Sequence, residues 1–580
     1  MEKVQFQFGL TASIFSLIYL AKYPLTVKAQ SAPEELPNQE TIQQTIPPKT
    51  QPIPETNPAS EQKKPTISIP DGLNSAQCEL SVNETNKDYT DRFLIRDIKV
   101  IGNTVLESEI EQIVKDSQLK YRTATFEDLV CLRSRITKLY LEQGYVTSGA
   151  FLANNQDLSN GIVTIQVVEG ELEDIVITGL DRLQQSYLRS RLELAAQKPL
   201  NKNDLETGLQ LLVLNPLFET VDAELTAGQK TGSNVLLINV KQARSFSAGI
   251  GVDNYRAPSI GEFQGSVNLA HNNLLGFGDR LSAEYGFTEG LDIYNAGYTI
   301  PWNAYDGTIG FSYNNSNSGI IEEQFRALDI KSETETYAVN LRQPLTRSPN
   351  QEFTLSLGLD ISRRRTFLEG EPYSFSVGVE DGKSNTTVLR FSQDWVKRDA
   401  QSVLAGRSQF NLGIDAFDAT INNTGTDGQF LIWQGQFQWV EQLSPRVLLI
   451  ARVGGQFTAD SLLSLEKFSL GGVSTVRGYE ENQLVTDSGV LGTVELRIPV
   501  TKNPNILNLN PFIEFGTGWN NDEPNPEEPT IASVGLGMDL AIGGGLMFNA
   551  DYGIPLIDVE NEGNSLQENG FHVSLKYQPF

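Results

Sequence analysis

The sequence predicts two small α+β modules followed by an antiparallel transmembrane β-barrel of about 16 strands. Two observations support this fold class. A short alternating strand closed by glycine occurs twice, 174 − 97 = 77 residues apart, and each copy is followed by apolar residues at helical spacing. From about residue 244 onward the chain instead alternates apolar and polar residues, with no helix-period stretch.

The N-terminal region is predicted to be a secretory signal followed by a linker. Lys3 precedes an apolar stretch from Phe8 to Ala21, and the small-residue pattern Val27-Lys28-Ala29 places cleavage after Ala29, which gives a signal peptide of residues 1–29. A short buried helix is the alternative, but a proline-rich tract follows at once. We expect residues 30–90 to form an extended linker, part of which could dock elsewhere on the molecule.

The repeat defines the two modules, residues 91–170 and 171–243. Each begins with an alternating strand, at Asp97–Gly102 and at Asp174–Gly179, and each ends with strands, at Ile162–Val168 and at Val235–Val240. The apolar residues at helical spacing between them are Leu129, Leu132, Ile136, Leu139 and Tyr140 in the first copy and Leu205, Leu209, Leu212 and Val213 in the second. Each module is therefore expected to have the order β-α-α-β-β.

The chain contains two cysteines, Cys78 and Cys131. In an exported protein such a pair more often forms a disulfide than a reactive site, and this one would close a loop of 131 − 78 = 53 residues. Two free buried thiols are the alternative, which the polar surroundings of Cys78 disfavour. We expect the disulfide.

Residues 244–580 are predicted to form the barrel. The 580 − 243 = 337 residues give room for about 16 strands of ~10 residues with their turns. A soluble sandwich or propeller would also alternate, but no blade period is present and the polar face is rich in Gly, Ser, Asn and charges. All five tryptophans lie in this region, as aromatic girdles at two membrane interfaces require: Trp302, Trp395, Trp433, Trp439 and Trp519.

The composition excludes several classes of function. Lys and Arg total 45 against 72 Asp and Glu, so the net charge is 45 − 72 = −27 and a nucleic-acid partner is not expected. Two His, two Cys and three Met leave too few ligands for a metal or haem site to be predicted. After the first 21 residues no apolar run approaches the ~20 residues of a membrane-spanning helix, which leaves a barrel as the way across.

Two motifs lie in the last part of the barrel. The segment Leu470–Tyr479 reads LGGVSTVRGY, and Phe512–Gly516 reads FIEFG. Here the chain resembles the TpsB-type transporters of two-partner secretion, the ShlB/FhaC/HecB haemolysin secretion/activation family of POTRA-bearing outer-membrane barrels. The resemblance implies that an extracellular loop folds into the lumen with a Val-Arg-Gly-Tyr tip, and that its arginine meets a carboxylate on the inner wall.

Carried onto this chain, the tip motif is Val476, Arg477, Gly478 and Tyr479, and the wall motif is Phe512, Glu514 and Gly516. A guanidinium buried in a lumen needs such a carboxylate, and Gly478 permits a tight turn. Glu514 stands where the family usually has Asp, so the charge is kept on a longer side chain. The alternative is that Arg477 is an ordinary solvated loop charge.

The resemblance extends over nearly everything after the linker. Gly144–Ser148 with Val167–Glu171 looks like the end of a first POTRA domain, and Asn273–Asp279 looks like the early barrel turn of the family. The terminal Phe580 is similar to the signal that the barrel-assembly machinery recognises. The two modules would then be POTRA domains in the periplasm, below a barrel in the outer membrane of a Gram-negative-type cell.

The implied function is export of a partner protein. An unfolded exoprotein would be captured by residues 92–243 through β-augmentation, threaded through the lumen and folded outside. The implied partners are this exoprotein, outer-membrane lipid and the barrel-assembly machinery during biogenesis. One alternative is a barrel-assembly or protein-import factor of the same superfamily, which usually carries more POTRA domains. The other is a passive porin, which needs neither Arg477 nor the modules.

No enzymatic activity is predicted, and no catalytic, cofactor-binding or metal-binding residue. His271 and His572 are the available bases, yet the chain has no G-x-S-x-G elbow for a serine nucleophile. The stretch from Gly378 to Ser384 has three residues between its glycines, where a P-loop requires four. It is expected to be a turn between strands.

Overall fold

The computed structural model describes residues 66–68, 92–154, 156–559 and 565–579, and of residues 66–68 only the backbone. The predicted signal peptide, most of the linker, Cys78 and Phe580 lie outside the described residues. The structural statements below concern the described residues.

The first module is a three-stranded sheet covered by two helices. Its strands are ordered β3-β6-β5, with β3 parallel to β6 and β5 antiparallel to it, and a short β2–β4 pairing lies beside this sheet. The elements in chain order are β2 (Phe93–Ile95), β3 (Asp97–Ile101), α1 (Glu107–Asp116), β4 (Arg122–Ala124), α2 (Phe126–Glu142), β5 (Gly149–Leu152) and β6 (Ile162–Val168).

Helix α2 shows how the sequence fixes these elements. Thr125 accepts a hydrogen bond from the Asp128 N–H, and the Asp128 carboxylate accepts one from the Thr125 N–H, which forms a capping box at the N-terminus. Leu129, Leu132 and Ile136 are buried along one face of the helix, at the spacing that predicted it. They pack against the inner face of the sheet and form the core of the module.

The second module repeats this arrangement with its own core. Its elements are β7 (Glu171–Thr178), α3 (Gln185–Ala195), α4 (Lys202–Val213), β8 (Phe218–Ala227) and β9 (Ser233–Gln242). A strand from the linker region, β1 (Thr66–Ser68), joins the edge of this sheet and runs parallel to β8, so the order is β1-β8-β9-β7. Docking of part of the linker therefore takes place on the second module.

The barrel follows at once and closes by pairing of its last strand with its first. It contains sixteen strands and the two-residue β17, which extends the hairpin between β16 and β18. The strands are β10 (Phe246–Asp253), β11 (Gln264–Asn272), β12 (Arg280–Phe287), β13 (Leu291–Pro301), β14 (Thr308–Gly319), β15 (Lys331–Arg347), β16 (Gln351–Leu368), β17 (Glu371–Pro372), β18 (Lys383–Arg398), β19 (Ser402–Gly413), β20 (Phe430–Ser444), β21 (Val447–Thr458), β24 (Ser488–Pro499), β25 (Leu507–Trp519), β26 (Thr530–Gly543), β27 (Leu546–Pro555) and β28 (Phe571–Tyr577).

Short elements lie in the connections. A two-stranded hairpin of β22 (Phe468–Leu470) and β23 (Leu484–Thr486) lies between β21 and β24. Single 3₁₀ turns occur at Pro258–Ile260, Arg326–Leu328 and Ser464–Glu466. Among the described residues, no helix has both the length and the apolar composition that crossing a membrane takes.

Alternation along each strand gives the barrel an apolar outside and a polar inside. On β16, Leu357 is exposed on the outer surface, while Ser362 and Arg364 are buried inside. A strand of this kind hides polar side chains and exposes apolar ones, which is the reverse of a soluble sandwich. The predicted fold class, two α+β modules and an antiparallel barrel of about 16 strands, is confirmed.

The tryptophans mark the two ends of the barrel. Trp302, Trp395 and Trp439 lie near the turns on the side of the modules, which we call the module end, and Trp433 and Trp519 lie near the opposite, far end. The indole N–H groups of Trp433 and Trp439 donate to Ser408 and Glu441. This arrangement of partly exposed rings with bonded polar edges is typical of membrane interfaces.

Candidate functional site

The connection between β21 and β24, residues 459–487, folds from the far end into the barrel, and we call it the lumenal loop. Most of its residues are buried, although it is not part of the barrel wall. It carries a small apolar core of its own, to which Ile531 of the wall contributes: Phe468, Leu470, Val476, Tyr479 and Leu484. The loop is therefore a packed element inside the lumen.

The tip of the loop is held by Arg477. The Glu514 carboxylate on β25 accepts three hydrogen bonds from this one residue, from the backbone N at 2.6 Å, from Nε at 3.0 Å and from Nη2 at 2.6 Å. Both residues are buried. Charge-assisted bonds of this geometry are the strong class of hydrogen bond, and they fix both the position and the orientation of the tip.

Two further carboxylates meet the same guanidinium. Arg477 Nη2 lies 2.9 Å from Glu495 on β24, and Nη1 lies 2.9 Å from Asp551 on β27. The guanidinium also stacks over the Phe512 ring, 3.5 Å from its centroid. One cation thus joins three acidic side chains on three strands, and removing it would leave these carboxylates close together without their shared counter-ion.

Glycine makes the close approach of tip and wall possible. Gly478 has φ +97°, a conformation that favours glycine, and a Cβ there would lie 2.9 Å from the Gly553 backbone. Its N–H donates to His572 Nε2 at 3.3 Å. A Cβ on Gly516 would lie 2.9 Å from Leu470 of the loop. The loop and the wall therefore touch through two backbone positions that need the absence of a side chain.

Tyr479 and Val476 complete the tip motif. Both are fully buried. The Tyr479 hydroxyl lies 2.8 Å from the Ala532 carbonyl and 2.9 Å from the Ile557 carbonyl, and it accepts from the Ala532 N–H at 3.2 Å. The hydroxyl thus ties the tip to the backbone of β26 and of the connection between β27 and β28, independently of the charges around Arg477.

The wall motif can now be explained position by position. Phe512, Glu514 and Gly516 alternate on β25, so all three face the lumen. The first supplies the ring under the guanidinium, the second supplies the carboxylate and the third leaves room for the loop. Sequence reasoning did not name Glu495 or Asp551. Glu495 lies on the polar phase of an alternating strand, but that signal does not distinguish it from other lumenal polar residues.

Beside the loop the lumen retains a polar cavity of about 640 Å³. Its lining comes from the loop and from strands β14 to β21, and it is rich in Ser, Thr, Asn and Gln. Three ion pairs cross neighbouring strands of this wall: Arg342–Glu352, Asp360–Arg390 and Asp394–Arg407. The cavity offers hydrogen bonds to a peptide backbone rather than an apolar binding pocket.

The first module presents an open sheet edge beside a groove. In the part of the chain that the structure describes, no strand pairs with the outer edge of β5. The groove next to it, of about 860 Å³, is lined by residues that include Phe126, Val130, Arg133 and Phe151. Phe126 is 62% exposed and Phe151 is 41% exposed. Exposed aromatic rings beside an unpaired edge fit an extended peptide of varied sequence.

The predicted family segments at the end of the first module lie at its junction with the second. Gly170 N–H donates to Ser148 Oγ at 2.9 Å, and the Gly170 carbonyl accepts from Leu200 N–H at 2.7 Å. Glu169 is buried and accepts from the Tyr140 hydroxyl at 2.9 Å and from the Thr104 N–H at 2.7 Å. The segment therefore joins the two modules and closes the core of the first.

The early turn Asn273–Asp279 docks on the second module. Its Gly276 carbonyl accepts from the Gln184 N–H at 2.9 Å, and its Leu274 carbonyl accepts from Arg182 at 2.7 Å. A Cβ on Gly278 would lie 2.4 Å from the Tyr187 ring. The turn is thus one place where the second module touches the barrel, and its glycines permit the close approach; the other is the connection after β13, where Arg191 bonds Asp306.

The remaining predicted residues are placed as follows. Cys131 is buried in α2, but Cys78 and Phe580 lie outside the described residues, so the disulfide and the assembly signal stay predictions. His572 faces the tip of the lumenal loop and His271 lies 3.1 Å from Arg182. In the described ranges, no three or more His, Cys, Asp or Glu side chains are grouped as a metal ion would require.

Family models match most of the described chain. The model of haemolysin secretion/activation protein ShlB/FhaC/HecB matches residues 232–540, and the model of the ShlB-type POTRA domain matches residues 93–170. The first match covers more than half of the chain and includes the lumenal loop and the wall motif. The second coincides with the first module.

Two curated relatives and one solved structure are similar to this chain over most of its length. The chain is 24% identical over 469 residues to the outer membrane transporter CdiB of Dickeya dadantii, and the aligned region covers 76% of this chain and 78% of that protein. It is 23% identical over 529 residues to the heme/hemopexin transporter protein HuxB of Haemophilus influenzae, covering 86% and 90%. The structure of CdiB from Escherichia coli superposes with a TM-score of 0.67 at 22% identity, over 87% of this chain and 94% of that one.

Proposed function

Since this chain belongs to the haemolysin secretion/activation family ShlB/FhaC/HecB, we propose that it captures an unfolded exoprotein on its POTRA domains and passes it through the barrel. The chain is an outer-membrane transporter of two-partner secretion, with its barrel in the outer membrane and its POTRA modules in the periplasm. The partner is an exoprotein of the TpsA type. The steps of capture and passage are the parts we propose.

Capture is supported by the edges of the two POTRA sheets. An exoprotein segment adds as a strand to β5 and lays its side chains in the groove beside Phe126 and Phe151. Main-chain bonds give affinity without requiring one sequence, which suits a long unfolded client. The chain itself provides an example of such an addition, because Thr66–Ser68 pairs with the edge of β8.

Passage is supported by the contact of Arg477 with three wall carboxylates, which is the single observation that carries the proposal. In the docked position the lumenal loop fills part of the lumen, and an exoprotein passes only when the loop shifts. A loop held by ion pairs and hydrogen bonds at its tip can leave and return without unfolding the barrel. This combination fits a transporter better than a permanently open porin.

Further parts of the proposal concern biogenesis and the linker. Residues 1–29 direct export, and Phe580 marks the barrel for the assembly machinery, which with lipid makes up the remaining partners. A Cys78–Cys131 disulfide would fasten the end of the linker to α2 and stabilise the first module by roughly 3 to 4 kcal/mol. The protein acts by binding and conduction, without a catalytic step or a cofactor.

Secretion of a co-expressed exoprotein tests the proposed passage. Arg477→Ala should change the amount of exported exoprotein, because the loop then loses the contacts that return it to the docked position, whereas Arg326→Ala removes an exposed ion pair with Glu289 outside the lumen and serves as the control. If both variants export as the wild type does, the lumenal loop has no part in transport.

A binding measurement tests the proposed capture separately. Residues 92–243 contain two complete hydrophobic cores and can be produced as a fragment. This fragment should bind the unfolded N-terminal region of the exoprotein, and Phe126→Ser with Phe151→Ser should weaken the binding. Absence of binding by the wild-type fragment would contradict capture by the POTRA domains.

A further inference from the structure

A second set of contacts anchors the lumenal loop near its base. Glu466, in the 3₁₀ turn Ser464–Glu466, is buried inside the barrel. Its carboxylate accepts from Arg390 Nη2, at 3.1 Å to Oε2 and 3.3 Å to Oε1, and Oε1 also lies 3.4 Å from the Thr386 hydroxyl. Both partners belong to β18 of the wall, so this is a direct tie between loop and barrel.

The cation of this tie is held in place by the wall itself. Arg390 Nε donates to Asp360 on the neighbouring strand β16 at 2.5 Å. In the register of β16 and β18, the residue directly opposite Arg390 is Gly358, two positions before Asp360. Arg390 and Asp360 therefore form a diagonal pair across the two strands. The guanidinium is therefore oriented toward the lumen, and Glu466 accepts from its remaining donors.

The next residue of the loop binds a different part of the barrel. Lys467 Nζ is buried and lies 3.0 Å from Glu523, beyond the end of β25, and 3.4 Å from Asp487. The Gln456 side chain on β21 donates to the Glu466 carbonyl at 2.9 Å and to the Asp487 carbonyl at 3.0 Å. The backbone at Glu466 is thus fixed, and its carboxylate is presented to Arg390 with little freedom.

The tip and the base contact different sides of the barrel. Leaving out the two-residue β17, β16 and β18 are the seventh and eighth strands, and β24, β25 and β27, which hold Arg477, are the twelfth, thirteenth and fifteenth of sixteen. The strand of Arg390, β18, therefore lies four, five and seven places from these three strands, between a quarter and nearly half of the circumference. The loop consequently spans the lumen from wall to wall.

From this geometry we propose that Glu466 is a positioning residue for transport: with Arg390 it forms a base latch that holds the lumenal loop across the pore together with the tip latch of Arg477. The proposal rests on the proposed function, in which the loop must shift for the exoprotein to pass. Loss of the tip contacts alone leaves the base of the loop bound to β18. Full opening requires that both latches release.

Glu466→Gln is the variant that isolates the base latch. It keeps the shape of the side chain, and Arg390 retains Asp360 as its counter-ion, so no buried charge is orphaned. The change removes one charge-assisted interaction between loop and wall. A charge-assisted hydrogen bond of the usual strength corresponds to a population shift of about tenfold or more.

The experiment measures single-channel conductance of the full-length protein in planar lipid bilayers. Glu466→Gln should raise the open probability about tenfold, Arg477→Ala should raise it by its own factor, and the double variant should show the product of the two. Glu466→Asp, which keeps the charge, should fall closer to the wild type than Glu466→Gln. Arg326→Ala, which removes an exposed ion pair with Glu289 outside the lumen, should leave the open probability unchanged.

An open probability for Glu466→Gln equal to that of the wild type would overturn the base latch. So would an increase in Arg326→Ala as large as that in Glu466→Gln. Folding is checked by the difference in gel mobility of heated and unheated barrel, and Arg390→Lys serves as a second variant if Glu466→Gln does not assemble. Export of the exoprotein is measured in parallel. Failure of the wild type to export contradicts the proposed function, whereas the conductance of the variants tests the latch alone.

Discussion

Glu466 and Arg477 belong to the same loop, yet their side chains are bound to parts of the barrel wall five strands apart, Glu466 to Arg390 and Arg477 to Glu514. The loop is thus a strut across the lumen rather than a lid over one of its ends. Its two charged contacts have opposite polarity, because the loop supplies the anion at its base and the cation at its tip. Substitutions at either contact should therefore change the same equilibrium.

The length of the Glu514 side chain is the first quantity to test. Glu514→Asp withdraws the carboxylate by about 1.5 Å, so it cannot keep the bonds to the backbone N and to both side-chain nitrogens of Arg477. We expect docking of the tip to weaken by about 1–3 kcal/mol. Glu514→Gln should weaken docking of the tip further, since it removes the charge of the carboxylate. Arg477 then keeps only Glu495 and Asp551 as counter-ions.

Channel recordings in lipid bilayers check this order, with open probability rising from the wild type through Glu514→Asp to Glu514→Gln. A Glu514→Asp channel that stays as closed as the wild type would mean that the tip moves to follow the shorter carboxylate. The length of the side chain would then be irrelevant to the latch.

The docking of the early turn on the second POTRA domain predicts a difference between two glycines. Gly278 has φ +79° and Gly370 has φ +83°, so alanine is strained at both by about 1–2 kcal/mol. Only at Gly278 does the new Cβ meet a neighbour, the Tyr187 ring at 2.4 Å, whereas at Gly370 no described atom lies within 4 Å. Gly278→Ala should therefore displace the module from the barrel, and Gly370→Ala should not.

Limited proteolysis of the chain between β9 and β10 measures this displacement. Faster cleavage in Gly278→Ala than in Gly370→Ala is the expected result. Equal cleavage of the two variants would show that the contact with Tyr187 does not hold the module in place.

The buried carboxylate of Glu169 makes the first POTRA domain sensitive to acid. Burial tends to raise the pKa of Glu169, but hydrogen bonds from the Thr104 side chain and backbone outweigh it and leave the pKa below its ordinary value. A carboxyl group whose pKa is lower in the folded protein than in the unfolded chain stabilises the folded protein at pH values above the pKa of the unfolded chain. This stabilisation is lost as the pH falls through the pKa of the folded protein.

Urea denaturation of the fragment of residues 92–243 from about pH 7 to about pH 3 tests this linkage. Glu169→Gln should lower the stability of the first domain at pH 7 by about 1.5–3 kcal/mol and flatten its dependence on pH. Tyr140→Phe removes one donor to the same carboxylate and should have a smaller effect. If the stability of Glu169→Gln falls at acid pH as steeply as that of the wild type, the sensitivity to acid belongs to another group.

The strand Thr66–Ser68 predicts competition at the edge of β8. It occupies backbone groups that a client strand would use in the same way. Proline has no N–H and is poorly accepted in a paired strand. Successive N–H groups of a strand point to opposite sides, so one of any two neighbouring N–H groups faces β8. Ile67→Pro combined with Ser68→Pro therefore removes at least one hydrogen-bond donor to β8. The edge should then be free, and the affinity of the periplasmic region for the exoprotein should rise several-fold.

Titration of the labelled exoprotein segment against residues 30–243, with and without the two prolines, measures the competition. The matched control carries the prolines at Thr41 and Ile42, which also belong to the linker. An equal rise in both variants would point to stiffening of the linker rather than to release of the β8 edge.

The sequence was sufficient to predict the order of the elements because periodicity records which faces are buried. Leu132 and Leu209 each belong to a row of apolar residues at helical spacing, and each lies in the core of its module. Leu357 alternates with polar neighbours on a strand whose apolar side faces outward. The family was recognised from the tip and wall motifs, and the matching family models confirm it.

The site was predicted less completely, for a physical reason. Arg477 and Glu514 form a pair that a motif can carry, but Glu495, Asp551, Arg390 and Glu466 are ordinary members of alternating strands or of a loop. Their importance comes from closure of the barrel, which brings distant strands to a common lumen. Pairing of the linker with β8 could not be predicted from the sequence either, because a three-residue segment within a proline-rich tract has no periodicity of its own.

Trp433 and Trp439 on β20 also define a length. Both rings point outward, each 39% exposed, and each donates a hydrogen bond at its polar edge. The two rings are six residue steps apart, which is about 20 Å along the strand, and the usual tilt of about 40° reduces this to roughly 15 Å across the bilayer. This height is a minimum for the apolar band on this side, because Leu431 and Leu443 beyond the two rings are also exposed. A bilayer thinner than this minimum would have to thicken around β20.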